Sequence, residues 1–196
     1  MVQLLSTEQM AEFANSGCLF FDGLIDNETN KEFLNDIGHT DIENVDNMQK
    51  YFQNIKASSS IPRIPAGTPL KNAYPHKSPL EKIFQNEVVA GAINSLVGSE
   101  AVVDHQFLHL TFPTKYFKKT NQRQMSQVNH QDSTIDPRIT FDIQLFYFPT
   151  DVTKEMGGTR YHPGTHLRIV NEMGIAKYKN IKGQKNIVCK AGTIGI

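Results

Sequence analysis

Residues 139–148 carry the sequence ITFDIQLFYF, the clearest strand signal in the chain. Side chains alternate between the two faces of a β-strand, so every second residue shares a face. One face takes Phe141, Ile143, Leu145 and Tyr147, and the other takes Asp142, Gln144, Phe146 and Phe148. The pattern predicts a strand with one fully apolar face, packed against a core.

Three helical stretches are predicted upstream of this strand from their capping residues, which are Ser6, Asp26 and Ser78. The first has Gln9 at the capping-box position and ends at Gly17, since glycine tolerates the left-handed conformation of a helix terminus. The third begins with proline at its first position and is expected to form two segments. Helices therefore dominate the first half of the chain.

Short strand patterns dominate the second half of the chain. Besides residues 139–148, they are predicted at residues 18–23, 101–112, 157–162, 185–190 and 192–196. Residues 39–78 are polar or rich in helix breakers and are expected to be mostly loop. Helices followed by many short strands favour an α+β fold with a β-sandwich or jelly-roll core. We expect one domain over residues 1–196.

Composition excludes several classes of protein. Lys plus Arg and Asp plus Glu number 20 each in 196 residues, so no excess charge suggests binding to nucleic acid or an anionic membrane. Cys18 and Cys189 do not form a disulfide framework. The N-terminus lacks the pattern of a signal peptide, and no apolar run is long enough to span a bilayer. We expect a cytoplasmic protein, and the sequence does not indicate an oligomeric state.

The tripeptide His130-Gln131-Asp132 is the strongest candidate for a chemical site. An imidazole and a carboxylate two residues apart point to the same side of an extended chain, where both can bind one ion. This pair would supply two of the three ligands in the two-histidine, one-carboxylate set that binds non-haem iron(II). The structural alternatives are a surface turn or a simple hydrogen bond between the two side chains.

The order of motifs resembles the phytanoyl-CoA dioxygenase family of iron(II)- and 2-oxoglutarate-dependent oxygenases. The resemblance rests on the capped N-terminal helix, followed by residues 17–23, residues 130–132, residues 157–166 and residues 189–196. It covers nearly the whole chain. It is most specific where the H-x-D motif is followed by the turn Pro163-Gly164-Thr165-His166.

The resemblance implies a double-stranded β-helix, a cupin-like jelly roll with the N-terminal helices packed outside. His130 and Asp132 match the metal ligands of the family. Gln131 and Phe146 match positions near the co-substrate, and His166 matches a mostly structural histidine.

The activity implied by the resemblance is hydroxylation of a small-molecule metabolite. Its cofactors would be Fe(II), dioxygen and 2-oxoglutarate, with succinate and CO2 released. Relatives that halogenate have a small residue in place of the carboxylate, so Asp132 favours hydroxylation. The alternative is a non-catalytic jelly-roll domain that binds a small molecule.

The sequence departs from the family pattern at its C-terminal end. Residues 191–196 match the element that precedes the distal histidine and the arginine that binds 2-oxoglutarate. We therefore expect the chain to be C-terminally truncated, with those residues and the final strands beyond Ile196. On that expectation, the full-length form is the active dioxygenase, and the chain as written has an incomplete iron site.

Overall fold

The computed structural model describes residues 2–39, 61–110, 127–131 and 142–196. In these ranges the α-helices are α1 (Thr7–Ser16), α2 (Asn27–Asp36), α3 (Pro79–Gln85), α4 (Glu87–Leu96) and α5 (Glu172–Ile175). The strands are β1 (Phe20–Phe21), β2 (Thr68–Pro69), β3 (Val102–Val103), β4 (Phe146–Phe148), β5 (Arg160–Tyr161), β6 (Lys185–Asn186) and β7 (Thr193–Gly195). Two short 3₁₀ turns cover Leu70–Asn72 and Lys154–Met156.

The capping residues start the helices where the sequence predicted. The Ser6 hydroxyl accepts a hydrogen bond from the Gln9 amide at 3.2 Å, and the Gln9 side chain accepts one from the Ser6 amide at 2.9 Å. Gly17 ends α1 with φ of +75°. Asp26 and Ser78 cap α2 and α3 in the same way. None of the described helices has the length and apolarity to span a membrane.

The predicted break in the third helical stretch falls at Asn86. Its backbone is extended, with φ −55° and ψ 131°, and its side chain accepts from the amides of Val88 and Val89. Asn86 therefore ends α3 and caps α4 at once. The prediction of two segments is confirmed.

β7 is the central strand of a three-stranded antiparallel sheet with the order β1-β7-β4. Gly195 pairs with Phe20 on one edge and with Phe146 on the other. Ile194 pairs with Phe21 and Tyr147 in the same manner. The final strand of the sequence thus connects the N-terminal strand with β4.

One face of this sheet packs against the helices. Ile194 is fully buried, and Phe21 and Tyr147 pack beside it, because directly paired residues share a face. The core cluster also contains Phe13, Leu19, Ile25, Ile83, Val89, Ala92, Ile93 and Ile196. Tyr147 contacts α2 through an edge-on ring contact with Phe33 and donates its hydroxyl proton to Asn30 Oδ1 at 2.5 Å. The sheet and α2 are therefore joined by both packing and a hydrogen bond.

Two further two-stranded sheets pair β2 with β3 and β5 with β6. All described strand pairs are antiparallel. Helices outside small antiparallel sheets agree with the predicted α+β class. A closed jelly-roll barrel is not formed by the strands that the structure describes.

The strands are shorter than the sequence patterns predicted. β3 covers only Val102–Val103 because its partner β2 is equally short. The chain turns at Gly67, with φ of +83°, just before β2, and a 3₁₀ turn begins at Leu70 just after it. β4 covers only Phe146–Phe148 of the described residues 142–148, matching the three residues of β7. The remainder of that predicted strand, residues 139–141, lies outside the described residues. Strand length is set by the partner, which a local pattern does not contain.

The predicted strand at residues 185–190 changes partners within its length. Residues 185–190 pair with β5 at Lys185–Asn186, and Cys189 then forms an isolated bridge with Val152. The predicted strand at residues 157–162 is likewise reduced to Arg160–Tyr161, since the turn at Pro163–Gly164 follows at once.

Gly192 permits the close approach of β7 to the loop before α2. Its φ is +82°, and a Cβ added there would lie 2.1 Å from the carbonyl oxygen of Ile25. Its carbonyl accepts from the Ile25 amide at 2.9 Å, and its amide donates to the Phe148 carbonyl at 2.8 Å. Only glycine combines this backbone conformation with the contact.

We expect Gly192→Ala to destabilise the protein far more than Gly183→Ala. Gly183 has φ of +90° but open space around it, so alanine there costs only the backbone strain, about 1 kcal/mol. At residue 192 the collision with backbone adds at least about 2 kcal/mol of overpacking. Urea unfolding followed by far-UV circular dichroism measures both free energies of unfolding. Equal losses in the two variants would show that β7 does not depend on this contact.

Candidate active site

His130 lies in the stretch 127–131, which forms neither helix nor strand. Its Nδ1 is 2.7 Å from the backbone carbonyl oxygen of Val128. A carbonyl only accepts hydrogen bonds, so Nδ1 carries the proton and the lone pair of the neutral ring lies on Nε2. Metal-binding histidines are commonly fixed in this way, with the second ring nitrogen bound to a carbonyl. The role of His130 as a metal ligand stays a prediction.

The residues on both sides of His130 are hydrogen-bonded to residues 168–178, referred to below as the 168–178 segment. The Asn129 side-chain amide donates to the carbonyl of Tyr178 at 2.5 Å. The backbone amide of Gln131 donates to Glu172 Oε1 at 3.2 Å, and its Nε2 donates to the carbonyl of Arg168 at 2.9 Å. Residues 129 and 131, on either side of His130, are therefore anchored by a part of the chain about 40 residues away.

Asp132, the second predicted metal ligand, lies outside the described residues. The pairing of His130 with Asp132 thus stays a prediction. Within residues 2–39, 61–110, 127–131 and 142–196, no three His, Cys, Asp or Glu side chains form a cluster that could bind a metal.

Phe146 lies on the face of the central sheet opposite the helices. Alternation places Phe20, Gly195 and Phe146 on this face, and Phe148 follows with its ring stacked 6.1 Å from that of Phe146. A Cβ on Gly195 would approach the Phe20 ring to 2.9 Å, so the missing side chain leaves room for that ring over the sheet. Phe146 is half-buried in an aromatic surface, whereas Gln131 is bound to the 168–178 segment. Their shared role beside a co-substrate stays a prediction.

The predicted turn at residues 163–166 packs against the end of α1. The Gly164 amide donates to the Ser16 carbonyl at 2.8 Å. The His166 ring occupies the space where Gly17 lacks a Cβ, and it contacts Phe13 edge-on at 5.8 Å between ring centroids. Both ring nitrogens are buried, with no hydrogen-bond partner in the part of the chain that the structure describes. These contacts agree with a packing role for His166.

Tyr161 is a residue that sequence reasoning did not single out. Its ring packs 5.8 Å from Phe20, on the same aromatic surface as Phe146. Burial raises the pKa of Tyr161, and the neighbouring Cys18 side chain raises it further. Tyr161 is therefore a neutral hydroxyl at physiological pH. The sequence signal for it was only its place in a short strand before the turn.

Arg160 of β5 makes hydrogen bonds outside its sheet. Its guanidinium donates to the carbonyl of Lys179 and, at 3.4 Å, to Asn180 Oδ1. Both acceptors follow the 168–178 segment directly. Arg160 thus connects the end of that segment to β5.

Two cavities lie among the helices and away from the tripeptide. The first, of about 360 Å³, is lined by apolar side chains that include Leu70, Phe84 and Ile93. Burial raises the pKa of Tyr74, which also lines it, to about 12. The second, of about 320 Å³, lies between α2 and α3. Residues 127–131 line neither cavity.

The anchoring of the tripeptide was not visible in the sequence. Asn171 is a recognisable helix cap, and its Oδ1 accepts from the Gly174 amide at 2.9 Å. This signal predicts a turn at Glu172 but not its contact with Gln131. Such a contact depends on how two distant loops meet.

A comparison with protein-family models matches the chain to Phytanoyl-CoA dioxygenase (PhyH) over residues 13–194. Comparisons with curated proteins and with solved structures find no significant match. The family match includes the tripeptide, the turn at residues 163–166 and β7 up to Ile194.

We expect His166→Ala to lower the free energy of unfolding by about 2 kcal/mol, because it removes a ring packed on Gly17 and Phe13. His76→Ala is the matched control, since 80% of that side chain is exposed, and it should change stability by no more than about 0.5 kcal/mol. Urea unfolding measures both. Equal stabilities of the two variants would contradict the packing role of His166.

Proposed function

We propose that this chain, which belongs to the phytanoyl-CoA dioxygenase family, is an Fe(II)- and 2-oxoglutarate-dependent dioxygenase. Its reaction would be the hydroxylation of a small-molecule metabolite. Members of this family are generally oxygenases of that type. The observation that carries the proposal is the hydrogen bond from His130 Nδ1 to the Val128 carbonyl. With Nδ1 donating to that carbonyl, Nε2 is the ring nitrogen that would bind a metal ion.

In this proposal His130 and Asp132 bind the metal ion. An imidazole nitrogen and a carboxylate oxygen are two of the three protein ligands in a facial triad, and the remaining positions accept co-substrate and dioxygen. When bound, Fe(II) with 2-oxoglutarate supplies oxidative decarboxylation to succinate and CO2, coupled to substrate hydroxylation. The carboxylate of Asp132 favours hydroxylation over halogenation, as argued from the sequence.

The role of the protein in this scheme is to position groups and to exclude water. The Val128 carbonyl holds the His130 ring in one tautomer and one orientation. Gln131 and Phe146 are proposed to contact 2-oxoglutarate. Phe146 and Phe148 are half-buried and share an aromatic surface with the exposed Phe20, and this surface can form one wall of a pocket. Tyr161 contributes a neutral hydroxyl to that surface.

The test is anaerobic addition of 2-oxoglutarate to the Fe(II)-loaded full-length protein, followed by its visible charge-transfer band and then by succinate formation in air. We expect the band in the unaltered protein and its loss in His130→Ala and Asp132→Ala, because each removes a metal ligand. Succinate formation should fall at least about a hundredfold in both variants.

Matched controls are His76→Ala and Asp104→Ala, whose side chains are 80% exposed and which are not among the predicted ligands. Both should keep the band and the turnover. A protein that holds a full complement of iron but shows neither band nor succinate would contradict the oxygenase. That result would support a non-catalytic domain that binds a small molecule.

A further inference from the structure

We infer that the 168–178 segment holds residues 129–131 in place, and that Glu172 is a positioning residue for the metal site proposed at His130. The inference rests on the function proposed above, because it gives the 168–178 segment a role in metal affinity. It assigns Glu172 no direct contact with metal, co-substrate or substrate.

The segment contacts the chain immediately before and after His130. The Tyr178 carbonyl accepts from the side chain of Asn129, and Glu172 Oε1 accepts from the backbone amide of Gln131. The Arg168 carbonyl accepts from the Gln131 side chain at 2.9 Å. Hydrogen bonds on both flanks restrict the backbone from which the imidazole projects. Ligand placement to within a fraction of an ångström is what metal sites need from such supporting contacts.

Residues 127–131 have no helix or strand of their own to hold them. Their position therefore depends on contacts with other parts of the chain, and those to the 168–178 segment join them to it directly. All three hydrogen bonds lie at the exposed surface, where local opening is easy. Loss of one of them should therefore change the population of the anchored state measurably.

The segment is itself attached at both ends. At its start, the Arg168 amide donates to the Thr165 carbonyl at 3.1 Å, next to the turn that packs on α1. Just beyond its end, the Arg160 guanidinium of β5 binds Lys179 and Asn180. Between these points α5 is capped by Asn171, so Glu172 extends from an ordered turn. The anchor for the tripeptide is thus connected to both α1 and β5.

Limited trypsin digestion of the metal-free protein tests the anchoring without any reaction. The Arg168–Ile169 bond is a direct reporter, because the carbonyl that trypsin attacks is the one that accepts from Gln131. Glu172→Ala should raise the cleavage rate at this bond about fivefold, since local opening controls proteolysis. Cleavage after Lys154, which is exposed, should stay unchanged and serves as the internal reference.

Glu172→Gln is the matched variant. It removes the same charge as Glu172→Ala but keeps a side-chain oxygen that can accept from the Gln131 amide. Its cleavage rate should stay within about twofold of the unaltered protein. The difference between the two variants isolates the hydrogen bond from the charge and from the effect of an acidic residue at the start of α5.

Mn(II) binding followed by electron paramagnetic resonance is the second measurement, with Mn(II) itself as the probe. Glu172→Ala should weaken binding about tenfold, equivalent to ~1.4 kcal/mol, and Glu172→Gln should restore it. Glu100→Ala, which removes a carboxylate that is 84% exposed, should bind Mn(II) like the unaltered protein.

Trypsin cleavage and Mn(II) binding together distinguish a failure of the anchoring, of the positioning role and of the proposed function. Faster cleavage in Glu172→Ala without any Mn(II) binding by the unaltered protein would sink the proposed function and the positioning role, leaving only the anchoring. Normal Mn(II) binding with no effect of Glu172→Ala on cleavage would overturn the anchoring, while the proposed function stands. Faster cleavage with unchanged Mn(II) affinity would show that the 168–178 segment docks but positions nothing.

Discussion

Phe20 and Phe146 lie on either side of Gly195, because β7 pairs with β1 along one edge and with β4 along the other. This double pairing joins the first and last strands of the chain in one sheet. It buries Ile194 completely against the helices and leaves the opposite face to a row of aromatic rings. Gly192 makes the arrangement possible, since a side chain there would collide with the Ile25 carbonyl. The core on one face and the candidate pocket wall on the other both follow from the position of one strand.

Helix boundaries could be predicted because their determinants are local. Each capping side chain accepts a hydrogen bond from a backbone amide two or three residues further along, as at Ser6, Asp26 and Asn86. The capping residue and the helix start that it determines therefore lie in one short stretch of sequence. Strand boundaries could not be predicted in this way. The alternation in residues 139–148 correctly indicated a strand with Tyr147 facing the core, but the paired length of β4 is set by β7. The pairing partner of a strand is determined by the fold and cannot be identified from a short stretch of sequence.

The candidate site likewise combines features that are local in sequence with features that depend on distant parts of the chain. The sequence pointed to His130 because an imidazole and a carboxylate lie two residues apart in the H-x-D motif. The family match over residues 13–194 covers that motif. The partner of Nδ1, the Val128 carbonyl, is only two residues away, yet the hydrogen bond depends on a backbone path that no pattern described. The contacts of Gln131 with Arg168 and Glu172 are further from prediction, because they span about 40 residues between two irregular stretches. The candidate ligands can be identified from residue types within a short stretch of sequence. The contacts that support them depend on tertiary structure.

The central claim is that His130 is held by the Val128 carbonyl and binds a metal ion through Nε2. Nuclear magnetic resonance of the ring nitrogens tests it directly, since the chain has only seven histidines to assign. We expect the metal-free protein to show His130 protonated at Nδ1, and Mn(II) to broaden its ring signals before those of the exposed His76. A proton on Nε2 in the neutral ring, or His130 signals that stay sharp when Mn(II) is in excess, would contradict the account.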